Sequence, residues 1–515
     1  MLFNSYLFIL LFLPIVLLVF YTSKHKSLSK YCLIGASFIF YSWWNYVYLS
    51  LLIFSILFNY YTGVLLINYR HINNLYKKNI LFLGILFNLS LLGYFKYYNF
   101  FINNISILLN FEIQEHSIIL PLAISFYTFQ QIAYLVEIYS SESYSYNFSN
   151  YCLFVAFFPQ LIAGPIVRHN ETIPQFKSNT FNKFFYSNIS IGITIFTIGL
   201  FKKVVLADGI APYATSVFNA ASRGENIYFI ESWCGAISYT FQLYFDFSGY
   251  SDMAIGLARM FNVYLPLNFY SPYRCISIID FWKQWHITLS LFLRDYLYIP
   301  LGGNRKGNRY INLFITMLLG GLWHGAGWTF IIWGGLHGFY LAVNHYWRLL
   351  KIKYCIRKFK YPNLTKIFYF ILTFLAIVIA WVFFRSDSIL TSKKILYAMI
   401  GLNGVNLPQK YITILGPVSD ILLNLGVIFK ANILPGYINI YFWISLLSII
   451  IWYFPNTYEF MCDYDPSLKV SFTTNYKCIY FKWQPSVLWA IIISIMFSIC
   501  MLFMSSATEF LYFNF

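Results

Sequence analysis

Apolar residues run through this 515-residue chain in blocks of about 15 to 20, separated by short polar breaks. A helix rises 1.5 Å per residue, so about 20 residues cross the ~30 Å hydrocarbon core of a membrane. The blocks predict an all-α, polytopic membrane protein with about eleven to thirteen transmembrane or re-entrant helices. They lie near residues 6–22, 31–48, 50–68, 79–95, 98–111, 117–139, 151–167, 187–207, 229–247, 311–347 as two segments, 367–384, 439–454 and 486–505.

Two stretches near the C-terminus, 400–438 and 455–484, are more polar and contain Pro and Gly breaks. We interpret them as extramembrane loops or a small cap. The whole of 1–515 is expected to form a single membrane-embedded domain. Its N-terminal helices would occupy 1–112, a central core 113–348, and further helices 349–515.

Composition agrees with a membrane protein, since 59% of the residues are hydrophobic and soluble domains average about 45 to 50%. The chain has 35 basic and 18 acidic residues, a formal charge of +17. In a soluble protein this excess would suggest nucleic acid as a partner. Here the basic residues follow apolar blocks, as in Lys24–Lys30 and Arg348–Lys360, which is typical of cytoplasmic loops. We therefore expect no nucleic-acid partner and an N-terminus on the outer face.

Charged residues are unusually dense in the middle of the chain, from Tyr239 to Gly303. Such a region must be buried in protein or line water, because lipid does not solvate charges. We interpret the acidic residues of this region either as side chains that position the residues of a nearby site or, more simply, as ion-pair partners of the arginines. The residues concerned are Asp246, Asp252 and Asp295 on one side and Arg259, Arg274 and Arg294 on the other.

His324 lies in Gly-Leu-Trp-His-Gly, within the 37 residues Ile311–Trp347 that contain no Asp, Glu, Lys or Arg. An imidazole in such a segment must find a polar partner, line a wet cavity or do chemistry, because burying it unpaired is costly. Two interpretations stay open: a neutral histidine hydrogen-bonded between helices, and the working residue of a membrane enzyme. As one helix this segment would be about 55 Å long, so it must break, and the glycines around His324 mark the place. His337 is interpreted as a packing or hydrogen-bonding histidine.

A second histidine, His286, falls in a segment that reads as a helix over 281–296. At 3.6 residues per turn it shares a face with Trp282 and Trp285, away from the basic side. The simplest interpretation is an amphipathic helix at the membrane boundary. The eight cysteines are scattered without metal-ligand spacing, so no metal site is expected, although a disulfide between Cys462 and Cys478 stays open.

The motifs of the central region, taken in order, resemble the bacterial membrane-bound O-acyltransferases, in particular the membrane subunits that serve O-acetylation of alginate and peptidoglycan. The motifs that carry this resemblance are Ser125–Gln130, Phe158–Ile166, Phe245–Ala254, Leu267–Phe269, Ser271–Tyr273, Asp280–Ser290, Arg294–Gly303, Trp323–Gly325 and Trp381–Arg385. Two positions depart from the family pattern: Glu137 stands where Asp is frequent, and Lys283-Gln284 replaces a frequent Arg pair.

The resemblance implies a multi-helix enzyme in which His324 lies deep in a central tunnel and a thioester donor arrives from the cytoplasm. His324 is then the expected catalytic base, since a neutral imidazole can take the proton of an attacking hydroxyl. His286 would orient the donor or stabilise negative charge. Tyr512 is expected either to anchor the C-terminal segment at the interface or to accept the acyl group transiently.

The function implied is transfer of an acyl group, with acetyl favoured, across the cell membrane for O-acetylation of an extracytoplasmic polysaccharide. The donor would be acetyl-CoA or another acyl thioester as co-substrate, with no bound cofactor. A separate extracytoplasmic acetyltransferase partner is also implied. Two alternatives are a transporter or flippase, which predicts repeated halves that the sequence does not contain, and a noncatalytic scaffold of an envelope complex, which predicts dispensable histidines.

Overall fold

The computed structural model describes residues 1–69, 74–110, 116–140, 146–162, 164–354, 362–431, 433–468, 482–504 and 511. These residues group into two compact units that alternate along the chain. The first unit comprises Met1–Phe201, Ser248–Asn268 and Thr457–Asn514, and the second comprises Lys202–Phe247 and Phe269–Asn456. The division into 1–112, 113–348 and 349–515 stays a prediction.

The apolar blocks form helices, as predicted. In the part of the chain that is described, four helical stretches are long and apolar enough to cross a membrane: Val47–Asn68, Asn74–Leu109, Tyr186–Ser222 and Pro362–Arg385. Shorter apolar helices span Phe8–Thr22, Tyr437–Tyr453 and Val487–Phe503. Leucines such as Leu10 and Leu18 point outward from these helices, 61% and 65% exposed, as lipid-facing residues do. The molecule is an all-α, polytopic membrane protein.

The first unit consists of helices and short connecting turns. Its helices are Phe8–Phe12 (π), Leu13–Thr22, Lys26–Ser42, Val47–Asn68, Asn74–Leu92, Gly93–Tyr97 (π), Tyr98–Leu109, Ile124–Ser140, Phe148–Ala156, Phe158–Leu161, His169–Lys177, Tyr186–Phe201, Thr457–Phe460, Cys462–Tyr464 (3₁₀) and Val487–Phe503. Polar groups inside the unit pair with each other. Asn59 and Asn88 are fully buried and exchange amide hydrogen bonds of 3.2 and 2.6 Å, which satisfies both side chains.

A cavity of ≈ 380 Å³ lies between the helical stretch Phe8–Thr22 and helix Lys26–Ser42 of this unit and is almost entirely apolar. Leu11 and Ile15 line it from one helix, and Gly35 and Ile39 from the next. None of the residues that the sequence singled out as candidates for chemistry lines this cavity. It therefore contributes nothing to the site described below.

The second unit contains the region of high charge density and the segment around His324. Its helices are Lys202–Ala207 (π), Asp208–Ser222, Phe229–Met260, Pro272–Arg274 (3₁₀), Ile278–Trp282, Ile287–Leu293, Arg294–Tyr298 (π), Arg309–His324, Trp328–Lys353, Pro362–Arg385, Ile389–Met399, Tyr411–Leu415, Pro417–Asn424 and Tyr437–Tyr453. Of helix Phe229–Met260, only the part up to Phe247 belongs to this unit. Within the polar stretch 400–438, strand Val405–Pro408 pairs in parallel with Val427–Lys430. That stretch thus forms a small structured element.

Several helix boundaries differ from the prediction. Residues 79–95 and 98–111 were expected as separate helices, yet helix continues from Asn74 to Leu109 through a π-helical turn. The block 151–167 was expected as one helix, but the helix ends at Ala156. Phe157 leaves the helical conformation, and Pro159 then lies in the first turn of a new helix, where its missing N–H breaks no hydrogen bond.

Candidate active site

The uncharged segment around His324 folds into two helices, Arg309–His324 and Trp328–Lys353, joined by three residues; we name this pair the histidine hairpin. The predicted break at the glycines next to His324 is confirmed. Two further glycines let the helices touch. A Cβ on Gly321 would lie 2.3 Å from the Phe330 carbonyl oxygen, and one on Gly334 would lie 2.3 Å from the Met317 carbonyl oxygen. Only glycine fits where backbones approach this closely.

His324 is the last residue of its helix and is 4% exposed. Its ring lies edge-on to Trp333, with centroids 4.9 Å apart, and 5.3 Å from the ring of Phe384. The imidazole is therefore enclosed by aromatic side chains of the protein and does not face lipid.

His286 lies next to His324 within the second unit. It is fully buried, and the two imidazole centroids are 6.5 Å apart. The ring of Phe247 meets it edge-on at 4.8 Å. The structure thus brings together the two histidines that the sequence placed 38 positions apart.

The expectation of one helix over 281–296 is wrong. Helix Ile278–Trp282 ends, and a new helix, Ile287–Leu293, begins directly after His286. His286 has φ 42° and ψ 55°, a left-handed conformation that L-residues seldom adopt. This turn directs His286 toward His324, whereas a regular helix would have kept it on the face of Trp282 and Trp285.

The short helix Ile278–Trp282 is fastened to the histidine hairpin through Asp280. Its carboxylate accepts hydrogen bonds from Ser277 (2.6 Å) and Lys283 (3.2 Å), and Arg348 of the hairpin lies 3.6 Å away. Burial alone would raise the pKa of Asp280, but these hydrogen bonds and positive charges outweigh it and hold the pKa below its ordinary value. The carboxylate is therefore charged at neutral pH and keeps Trp282 against the hairpin.

His337 occupies the position predicted for a packing histidine. It is fully buried and stacks on Phe281, with the rings 10° from parallel. The indole Nε1–H of Trp282 donates to His337 Nδ1 at 3.2 Å. Trp333 lies against both His324 and His337, at 4.9 Å from each ring, so three imidazoles share one aromatic cluster.

Asp246 forms a buried ion pair with a lysine that the sequence analysis did not single out. Lys203 Nζ lies 2.6 Å from Asp246 and 2.9 Å from Asp208, and the lysine side chain is 1% exposed. These three side chains come from a π-helical turn, the helix that follows it, and helix Phe229–Met260. Lys202 and Lys203 are adjacent lysines within the apolar block 187–207, and such charges indicate buried partners, although the sequence could not identify them.

The remaining charged candidates have well-defined partners. Arg294 and Asp295 form an ion pair at 2.6 Å on the π-helical turn, and Arg274 donates to the carbonyl oxygens of Ile451 and Phe454. In the first unit, Asp252 accepts hydrogen bonds from the hydroxyl groups of Thr457 (2.6 Å) and Tyr458 (2.8 Å), and Arg259 packs over the ring of Tyr264. The ion pairing expected for Arg294 and Asp295 is confirmed.

Glu137, which departs from the family pattern, places its Oε2 atom 2.9 Å from Nε2 of the buried His169 in the first unit. Tyr512 and Cys478 lie outside the described residues, so their predicted roles stay predictions.

Within the described residues, no group of three His, Cys, Asp or Glu side chains is arranged to hold a metal ion. Trp333 could not be identified from the sequence, since a tryptophan in an apolar block gives no signal beyond packing.

Comparison with known proteins identifies a family and several relatives. Residues 136–385, which include all three clustered histidines, match the family model of the MBOAT, membrane-bound O-acyltransferase family. Peptidoglycan O-acetyltransferase of Helicobacter pylori is 46% identical over 438 residues, covering 79% of this chain and 81% of that protein. A Pseudomonas aeruginosa protein named probable alginate O-acetylase AlgI is 41% identical over 408 residues, covering 78% and 75%.

A more distant similarity extends to another acyl group. Teichoic acid D-alanyltransferase of Bacillus subtilis is 25% identical over 252 residues, which covers 46% of this chain and 62% of that protein.

Proposed function

The chain belongs to the membrane-bound O-acyltransferase family, and from this premise we propose that it passes an acetyl group from a cytoplasmic thioester to the hydroxyl of an acceptor, for O-acetylation of an extracytoplasmic polysaccharide. It is an acyltransferase embedded in a membrane. The observation that carries the proposal is the buried pair of His324 and His286, with ring centroids 6.5 Å apart inside an aromatic cluster.

In the proposed reaction, His324 acts as general base. Its unprotonated nitrogen takes the hydroxyl proton while the hydroxyl oxygen attacks the thioester carbonyl carbon. A C–O bond forms, the C–S bond breaks, and the leaving thiolate receives the proton from His324. General-base catalysis of this kind contributes about 10² to 10⁴ in rate. His286 orients the donor beside that nitrogen.

An acetyl group and a polysaccharide acceptor are favoured by the two relatives of highest identity quoted above, whose names specify O-acetylation of peptidoglycan and of alginate. D-alanyl transfer is the second candidate, supported by a relative that matches less than half of this chain. We propose acetyl-CoA, or an acetyl group on a carrier, as the donor. The basic loop Lys24–Lys30 supports a cytoplasmic face in the cell membrane, where such donors are available.

Since the long helices of the described chain lie in the membrane, we also propose that a separate extracytoplasmic partner protein delivers the acetyl group to the polymer.

Within this proposal, Tyr512 acts as a transient acyl acceptor. Intact-mass analysis would find an added acetyl group on Tyr512, and Tyr512→Phe would lower polymer acetylation. An unmodified Tyr512 together with full activity of Tyr512→Phe would remove this step from the scheme.

A direct test uses membranes that contain the full chain and acetyl-CoA labelled in the acetyl group. His324→Ala should remove label transfer to the polysaccharide fraction, because it removes the proposed base, while the protein level in the membrane stays normal. A noncatalytic scaffold or a transporter predicts instead that His324→Ala membranes transfer label at the wild-type rate.

A further inference from the structure

Two buried N–H groups of the histidine hairpin have no role in the mechanism above. They are Nε1 of Trp333 and Nε2 of His337, whose residues are 1% and 0% exposed. Neither atom has a hydrogen-bond partner among the described residues. Buried polar groups are normally paired, because leaving one without an acceptor is destabilising. Two such groups on one helix, four positions apart and therefore on the same face, indicate a shared ligand.

The hydrogen bond to Trp282 determines which nitrogen of His337 carries the proton. An indole N–H can only donate, so His337 Nδ1, 3.2 Å from Trp282 Nε1, must act as the acceptor. The ring is then neutral and its proton lies on Nε2. His337 Nε2 is therefore a donor, as is Trp333 Nε1.

Trp333 lies beside the proposed catalytic base, and His337 packs against Trp333. Trp333 lies 4.9 Å from the ring of His337 and 4.9 Å from that of His324. Trp381 stacks on Trp333 at 5.6 Å, and Phe384 covers its edge at 5.1 Å. Aromatic packing on this scale leaves the two N–H groups fixed in direction, as preorganised catalysis requires.

We infer that Trp333 and His337 form a carbonyl-binding site, in which their N–H groups hold the oxygen of the acyl group during transfer. This inference rests on the proposed function of His324. A carbonyl oxygen has two lone pairs and accepts two N–H donors. When the hydroxyl oxygen attacks, the C=O electron pair moves onto that oxygen, and it returns when the C–S bond breaks. Neutral donors stabilise the transient negative charge without exchanging a proton.

The test compares variants expressed in a strain that lacks its own copy of the gene. The initial rate of O-acetylation of the envelope polysaccharide is measured per amount of chain in the membrane. Trp333→Phe keeps the ring packing and removes one donor, so the rate should fall about 10²-fold, the usual effect of losing one such donor. His337→Phe should behave similarly. His337→Gln, whose amide N–H reaches the same region, should recover a large part of the rate.

A matched control is Trp452→Phe. Trp452 belongs to the same unit, its ring packs only on Phe370 and Phe374 among the described aromatic contacts, and its loss should leave the rate unchanged. Trp282→Phe keeps His337 but removes the donor that sets its tautomer, and should lower the rate about tenfold, as is usual for a positioning interaction.

The outcomes separate the two proposals. If His324→Ala is inactive while Trp333→Phe and His337→Phe run at the wild-type rate, the carbonyl-binding site is wrong and the base assignment stands. If His337→Gln is no better than His337→Phe, the donor role of His337 is likewise wrong. An active His324→Ala variant overturns the proposed function itself.

Discussion

At the scale of single residues, the conformation of His286 is the least expected feature of the site. Its φ of 42° places an imidazole-bearing residue in the left-handed region, which costs about 1–2 kcal/mol for a residue with a Cβ. The surrounding turn compensates, since the Tyr270 N–H donates to the Gln284 carbonyl oxygen at 3.0 Å and fixes the chain just before His286. Strain retained in this way is common where a side chain must be directed at a reaction centre.

This conformation gives a prediction that separates backbone from side-chain effects. His286→Gly and His286→Ala both remove the imidazole, so both should show the same loss of acetylation. Only glycine accepts the left-handed backbone without cost, so the Gly variant should be more stable than the Ala variant by about 1 kcal/mol. Thermal unfolding of the two purified proteins in detergent measures this difference. Equal stability, or a more stable Ala variant, would show that the left-handed turn is not present.

At the scale of elements, the histidine hairpin depends on close backbone contact. Gly321→Ala would place a Cβ 2.3 Å from the Phe330 carbonyl oxygen, and a backbone atom cannot rotate away as a side chain can. The helices must separate, so stability should fall by about 1–3 kcal/mol. Because the move displaces Trp333 from His324, acetylation should fall with it.

Gly335 is the matched control in the same hairpin. A Cβ at this position would meet its nearest neighbour, Leu318 Cδ2, at 3.4 Å, which is ordinary contact distance. Gly335→Ala should therefore be neutral or stabilising by up to about 1 kcal/mol through its better helix propensity. The melting temperatures of the two variants test this contrast directly. Similar melting temperatures for both alanines would contradict the hairpin geometry.

The sequence predicts helical elements better than it predicts how they end. Long apolar blocks such as 50–68 form helices because the membrane leaves no other way to satisfy the backbone. The break after His324 was predictable too, because 37 uncharged residues exceed the membrane thickness and glycines mark the turn. The turn at His286 was not, since the helical periodicity of 281–296 continues across it and only tertiary contacts reveal the left-handed residue.

The candidate site was predictable in part. An ionisable residue inside an apolar block is conspicuous, which identified His324, and the resemblance to a known family supplied His286. Trp333 carried no such signal, because a tryptophan among apolar residues is normally a packing residue. Its proximity to His324 follows from the hairpin, and periodicity along one helix contains no information about that contact.

At the scale of the whole molecule, an all-α membrane protein uses one of its two units to enclose three histidines among aromatic rings. The same unit buries Lys203 between Asp208 and Asp246, so its interior holds charges as well as imidazoles. Charges are retained in an apolar interior only when they are paired, and such pairs mark regions where structure or function requires them. We therefore expect the acyl-transfer chemistry to take place in this unit.

The most direct measurement is mass spectrometry of envelope polysaccharides from a strain that lacks the gene and carries either the wild-type chain or His324→Ala. We predict that deletion removes O-acetyl groups from one polymer, that the wild-type chain restores them, and that His324→Ala does not, although it reaches the membrane at the same level. Restored acetylation by His324→Ala, or a polymer that keeps its O-acetyl groups in the deletion strain, would contradict the account.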